Sequence, residues 1–183
     1  MNNRNTILVT GGAGYIGSHT LIELDRGGYD FVVVDNLANS QREALYRVEK
    51  IIGRKVPFYQ VDVRDAEALG KVMDQYDLYA CIHFAGLKAV GESVAKPLEY
   101  YENNMNSTFV LIDQLRKHNC KNIIFSSSAT VYGNPDGIVQ YTEELPKQRC
   151  TRPYGQTKSM LEEVLIDVQK ADKEWNVVIL RYF

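Results

Sequence analysis

Short apolar runs alternate with helix-length amphipathic segments along the whole chain, which predicts an α/β fold on a parallel sheet. Two observations sharpen that expectation. Ile7-Leu8-Val9 and Phe31-Val32-Val33-Val34 are apolar without polar alternates, as strands become when both faces of a sheet are covered. A glycine-rich turn, Gly11-Gly12-Ala13-Gly14-Tyr15-Ile16-Gly17, lies between the first of these runs and the first helical segment. Together they predict a doubly wound parallel sheet in strand order 3-2-1-4-5-6, with helices on both faces, over residues 1–183 as one domain.

The elements follow in order. Thr6–Thr10 reads as a strand and Tyr15–Gly27 as a helix. Phe31–Asp35 is the second strand, and Ser40–Ile52 a helix that Gly53 ends. Val56–Val61 is a strand, Ala66–Tyr76 a helix, and Tyr79–Phe84 a strand. Pro97 suits the first turn of a long helix running to His118. Asn122–Ser126 is the fifth strand. Tyr154–Lys173 is a periodic helix with Leu161, Val164, Leu165 and Val168 on one face, and Val177–Leu180 is the last strand. Gly133–Arg152, with Pro135 and Pro146, reads as a loop able to lie over a site at the carboxyl ends of the strands.

Composition narrows the function. A chain of 183 residues suits one domain burying ~70% of its unfolded surface. A net charge of −2 gives no electrostatic pull toward nucleic acid or anionic membrane. No apolar stretch approaches the roughly 20 residues needed to span a bilayer, and the polar start, Met1 to Thr6, lacks a secretory pattern. The three cysteines, Cys81, Cys120 and Cys150, are scattered and read as reduced thiols. The expectation is a cytoplasmic protein with no metal site, its scattered His19, His83 and His118 playing structural roles.

Gly12, Gly14 and Gly17 fit the G-x-G-x-x-G pattern of a dinucleotide site, with Gly11 just before them. Glycine serves the tight turn, the approach of backbone to a pyrophosphate and close helix–strand packing. The helix start offers free N–H groups and partial positive charge to phosphates. Asp35 ends the second strand eighteen residues past Gly17, where a carboxylate accepts adenosine ribose hydroxyls and repels a 2′-phosphate, favouring NAD. No Gly-Lys-Ser/Thr follows the turn, so a P-loop is excluded.

Tyr154 and Lys158 stand four apart, on one face of a helix start. An ammonium beside a phenol favours the phenolate, so the pair can act as a general base toward an alcohol. Ser126-Ser127-Ser128 follows a buried strand, and the Ser128 hydroxyl is placed to bond both a substrate oxygen and Tyr154. Beside a dinucleotide site, Ser128, Tyr154 and Lys158 point to hydride transfer at a carbinol carbon.

These residues, with Asp35-Asn36-Leu37, Asn39-Ser40, His83 through Ser93, Pro97 through Tyr101, Ser126 through Gly133, Pro153-Tyr154-Gly155 and Leu180 through Phe183, resemble the extended short-chain dehydrogenase/reductase superfamily over essentially the whole chain. The resemblance implies a Rossmann-type fold, NAD as cofactor and, within the superfamily, epimerisation at C4 of a UDP-hexose in galactose metabolism. It implies pyrophosphate at Tyr15 and Ile16, adenosine ribose at Asp35, Asn36, Leu37, Asn39 and Ser40, and adenine flanked by Asp62 and Val63. Phe84, Ala85, Gly86 and Lys88 would line the cofactor's middle, with Asn103 and Ser126 also touching it. Ser128, Tyr154 and Lys158 would be catalytic. Lys88, Ser128, Tyr154 and Tyr182 would meet the sugar, and Phe183 the nicotinamide end. Family members continue into a smaller C-terminal region that holds most of the UDP, so the 183-residue chain is expected to bind NAD and to turn over UDP-sugar poorly. They also pair through the two long helices, which implies a homodimer for the full-length protein.

Two rivals stand beside this reading. A nucleotide-sugar 4,6-dehydratase typically carries Thr-Asp-Glu where this chain has Ser128-Ala129-Thr130. A non-catalytic NAD-binding module would not need Ser128, Tyr154 and Lys158 together.

Overall fold

The computed structural model describes residues 5–134 and 140–183. Along the chain run β1 (Thr6–Thr10), α1 (Tyr15–Arg26), β2 (Asp30–Val34), α2 (Arg42–Ile52), β3 (Phe58–Tyr59), α3 (Ala66–Met73), β4 (Leu78–His83), α4 (Val90–Ala95), α5 (Pro97–Lys117), β5 (Asn122–Ser128), α6 (Pro153–Ala171) and β6 (Asn176–Tyr182). The strands form one all-parallel sheet in the order β3-β2-β1-β4-β5-β6. This is the Rossmann-type arrangement that the alternation predicts.

The apolar runs lack polar alternates because successive strand residues face opposite, equally covered sides. Ile7, Val9, Phe31, Val33, Ala80 and Ile82 pack with Leu21 of α1 and with Leu45 and Val48 of α2. Their neighbours Leu8, Val32, Val34 and Cys81 pack with Leu69 of α3, Leu111 and Leu115 of α5, and Leu161 and Leu165 of α6. Two apolar layers thus clamp the sheet and hold its carboxyl edge in register.

The differences from the sequence reading have local causes. β3 is two residues rather than Val56–Val61. It is an edge strand that pairs only with Val33 and Val34, and Pro57 has no N–H to give, although its carbonyl accepts from Val33 N at 2.9 Å. α3 stops at Met73 because Gln75 N and Tyr76 N turn back to carbonyls three residues earlier. α4 was not read from the sequence; it is a short turn of helix just before Pro97, which opens α5. β5 reaches Ser128 because β6 pairs with it to the end, Ser128 opposite Tyr182. A single 3₁₀ turn, Ala129–Tyr132, follows. Of the expected loop, Pro135 lies outside the described residues; Pro146 falls in a segment without helix or strand. Among the described residues, no helix is long and apolar enough to cross a membrane.

Candidate active site

A crevice runs across the carboxyl ends of the strands, walled by the segments that follow β1, β2, β3, β4 and β5 and by the end of β6. At the first wall the glycine turn is stitched to both neighbours of β1: Gly11 N donates to Val34 O at 2.8 Å, and Phe84 N to Thr10 O at 3.0 Å. Gly11 has φ +71°, and a Cβ there would sit 2.6 Å from Ala85 N. A Cβ on Gly17 would lie 2.5 Å from Gly11 O. Larger residues at either position would push backbone apart. Gly11, Gly14, Tyr15, Ile16 and Gly17 line the crevice. Gly12 does not: it faces the sheet, where a Cβ would meet Val33 Cγ1 at 2.8 Å. The crevice-facing spacing is therefore Gly11, Gly14, Gly17, and Gly12 serves helix–sheet packing.

Asp35 stands at the mouth of β2 as expected but is nearly buried and already occupied. Its Oδ2 accepts from Ala13 N at 3.0 Å, and its Oδ1 accepts from Leu37 N and the Ser40 hydroxyl, each at 2.9 Å. A carboxylate has about four lone-pair sites, so one remains, on Oδ2, for a ligand hydroxyl. Leu37 and Ser40 do not line the crevice. Leu37, at φ +59°, packs toward the apolar layer on the α1 side, and Ser40 reaches the site only through Asp35. Asn36, Asn39, Asp62 and Val63 do line it, with Ala38 and Val61, which were not read from the sequence. Asn36 Nδ2 donates to Asp62 Oδ2 at 3.0 Å. The Arg64 guanidinium on Asp62 holds that carboxyl well below the usual range.

The middle of the crevice is formed by Phe84, Ala85, Gly86 and Lys88 after β4 and by Asn103 of α5. Its shape depends on Asn104, a buried residue that no sequence pattern marks. Asn104 Oδ1 accepts from Leu87 N at 2.8 Å, and its Nδ2 donates to Leu87 O and to Thr157 Oγ1 at 3.0 and 3.1 Å. One amide thus ties the β4–α4 connection to α5 and α6.

The last wall brings Ser126, Ser128, Tyr154, Lys158, Tyr182 and Phe183 together. The Ser128 hydroxyl accepts from Thr130 N at 3.3 Å and from the Thr130 hydroxyl at 3.0 Å. Its own hydrogen is therefore free for Tyr154. Gly155 lets α6 start against Thr130, whose Oγ1 would lie 3.0 Å from an added Cβ. Lys158 is buried. Its Nζ donates to Ser126 O at 2.7 Å and lies 4.7 Å from the Phe125 ring centre. Burial pushes this ammonium down to about 8, against the pull of the Glu162 carboxylate. Burial also raises the Tyr154 hydroxyl above its ordinary value, and the Ser128 hydrogen bond only partly offsets that. The sequence reading gave the ammonium the leading influence on Tyr154; in the structure desolvation leads, and Lys158 is turned to a backbone carbonyl. Among the described residues, the carboxylates lining the crevice are Asp35 and Asp62. Both lie on the β2–β3 side, away from Tyr154.

The crevice has the features a dinucleotide needs: a glycine turn no side chain can fill, a helix start beneath it, and a carboxylate with a spare lone pair. A model of the family described as NAD dependent epimerase/dehydratase family matches residues 7–183. The chain is 56% identical over 177 residues to the UDP-glucose 4-epimerase of Bacillus subtilis, covering 97% of this chain and 52% of that one. It superposes with a TM-score of 0.95 and 55% identity on a UDP-glucose 4-epimerase of Bifidobacterium longum crystallised with NAD+ and UDP, covering 98% of this chain and 53% of the other. A UDP-glucose 4-epimerase of Stenotrophomonas maltophila with bound NAD and formylated UDP-arabinopyranose gives 0.94 at 38% identity, with 98% and 53% covered. The chain spans about half the length of the curated relatives it matches.

Proposed function

The chain belongs to the NAD dependent epimerase/dehydratase family, and from that premise we propose that it binds NAD and carries the proton-transfer residues of an enzyme that inverts C4 of a UDP-hexose. In this reading residues 1–183 form the NAD-binding domain. The pyrophosphate rests on the Gly11–Gly17 turn and the start of α1, the adenosine ribose takes the spare Oδ2 site of Asp35, and Asp62 and Val63 flank the adenine. When bound there, NAD would supply the hydride acceptor and donor for C4 of the sugar. The chain's own residues handle the proton. Tyr154 takes it from the 4-hydroxyl as the 4-keto sugar forms and gives it back to the same oxygen as the hydroxyl is regenerated, Ser128 hydrogen-bonds the same oxygens, and Lys158 supplies positive charge and a donor at the nicotinamide ribose. Lys88, Tyr182 and Phe183 wall the sugar end.

The observation that carries the proposal is the convergence of Ser128, Tyr154 and Lys158 at the end of the crevice that begins at the glycine turn. Elimination of water, as in a 4,6-dehydratase, calls for a further acid and base; the stretch Ser128-Ala129-Thr130 supplies none, and Thr130 is engaged with Ser128. The test is NAD reduction by UDP-galactose in the protein that carries this chain, followed by absorbance. Tyr154→Phe is expected to slow it by ~10²-fold or more, since general base catalysis typically contributes ~10²–10⁴-fold, while NAD affinity stays within a small factor of the wild type. Reduction at the wild-type rate would remove Tyr154 as the base. Retained wild-type affinity for NADP in Asp35→Asn and wild type alike would remove the ribose assignment.

A further inference from the structure

One helical turn beyond Lys158 on α6 stands Glu162, whose carboxylate is completely buried and which the proposed reaction does not use. Its Oε1 accepts from the Ser127 hydroxyl and from Arg181 Nε at 3.0 Å. Its Oε2 accepts from Arg181 Nη2 at 2.9 Å and faces Lys147 Nζ at 3.3 Å. Arg181, on β6, is held in turn by Tyr132, whose hydroxyl accepts from Nη1 at 2.9 Å.

Tyr154, Lys158 and Glu162 are spaced four apart and so form one stripe on α6. Four consecutive residues at the end of β5 meet that stripe. The Phe125 ring and the Ser126 carbonyl hold Lys158, the Ser127 hydroxyl is held by Glu162, and the Ser128 hydroxyl shares the crevice end with Tyr154. We propose that Glu162 is a positioning residue for Tyr154 and Lys158: it latches the end of β5 and Arg181 of β6 to α6, and its charge keeps the buried Lys158 ammonium cationic.

The physical case rests on the imbalance of charge. Glu162 is the buried carboxylate facing Arg181 and, one turn away, Lys158; Lys147 Nζ also faces it but is shared with the more exposed Glu163 carboxylate. Burial opposes its ionisation, but the Arg181 and Ser127 hydrogen bonds outweigh that and hold it ionised. The other groups near the pair do not replace it. His83 of β4 stays neutral down to about 3, Tyr154 is raised above its ordinary value, and burial pushes the Cys150 thiol up. A neutral side chain at 162 would leave Arg181 and Lys158 without their carboxylate, Lys147 keeping only Glu163, and the one most enclosed, Lys158, would give up its proton most readily.

What Lys158 and Tyr154 do for a substrate rests on the function proposed above, but the test of Glu162 does not. Lys158 is titrated by NMR at its ε-carbon in the ligand-free chain, its signal assigned by its loss in Lys158→Met. In Glu162→Gln the midpoint is expected to fall by ~1 pH unit or more, and in Glu162→Asp to return most of the way. If Glu162 only fills space, its loss loosens the wall and lets water reach Lys158. The midpoint would then stay put or climb toward ~10.4, and either result would overturn the proposal. Glu162→Gln combined with Arg181→Gln removes the buried charge with its main partner and guards against a variant that does not fold. The fall is expected to shrink there, because a cation leaves with the carboxylate; a fall as large as in Glu162→Gln alone, or a climb toward ~10.4, overturns the proposal. NAD binding by the wild-type chain is measured in parallel: its absence would count against the proposed function and leave the titration standing.

Discussion

His83, at the end of β4, bridges the first wall of the crevice to α5 as a neutral imidazole. The Thr108 hydroxyl donates to Asn104 O at 3.0 Å, so it accepts from His83 Nε2 at 3.0 Å, which leaves Nδ1 to accept from the Thr10 hydroxyl at 2.7 Å. Burial, helped by the Lys158 charge, pushes the imidazole down to about 3. The sign of the consequence follows from proton counting. Between the ordinary value of 6.5 and about 3 the unfolded chain binds a proton at this site and the folded chain does not, so stability is lost as pH falls through that window. The loss from this one group is expected to reach about 5 kcal/mol at most. Denaturant unfolding at several pH values should show a shallower acid-side decline in His83→Gln than in the wild type, although the variant is less stable near neutrality. Parallel declines would mean that His83 titrates normally. Asp35 belongs to the same scale. It binds the glycine turn through Ala13 N as well as facing the crevice, so Asp35→Ala would mix a loosened turn with a lost ligand contact, and Asp35→Asn is the cleaner variant.

Between elements, the geometry of the crevice depends on connections that have no repeat or motif. The segment after β4 carries Phe84 through Lys88 along the crevice, and Asn104 of α5 holds both the N–H and the carbonyl of Leu87. Asn104→Ala strips four groups of a partner: the part-buried N–H and carbonyl of Leu87, the Asn103 amide and the buried Thr157 hydroxyl. Leaving buried polar groups unpaired costs ~1–3 kcal/mol each, and Thr157 keeps its bond to Tyr154 O. The variant is expected to lose about 2–4 kcal/mol in denaturant unfolding and, on the reading proposed here, at least tenfold in NAD affinity. Wild-type affinity in a destabilised Asn104→Ala would show that this segment tolerates displacement.

Across the whole molecule, the crevice touches the end of every strand, from Asp62 beyond β3 to Tyr182 on β6. A dinucleotide lying along it would contact most of the sheet and bind only the folded chain. Free NAD at a hundred times its dissociation constant is expected to add ~2.7 kcal/mol, which for a chain of this size raises the melting temperature by roughly 5–10 °C. NADP at the same concentration should give a much smaller rise if, as proposed above, Asp35 faces the adenosine ribose. Equal shifts for the two would contradict the Asp35 assignment, and no shift with either would contradict NAD binding.

The sequence by itself determined the sheet order, the place of the crevice and most of its lining. Those follow from local signals: apolar runs covered on both faces, a glycine turn at a strand–helix junction, and residues spaced one helical turn apart. Tyr154 and Lys158 were legible because their spacing is set within one helix, and Asp35 because it ends an apolar run. Tertiary structure alone decided which glycines face the crevice, since Gly12 is turned to Val33 by the approach of α1 to the sheet. It alone filled three of the four lone-pair sites of Asp35. It alone turned the Lys158 ammonium to the Ser126 carbonyl, and set Asn104 and Glu162 behind the site as its buried polar supports. Those facts depend on contacts between residues far apart in the chain, whose distances are fixed only when the sheet, α5 and α6 close on one another.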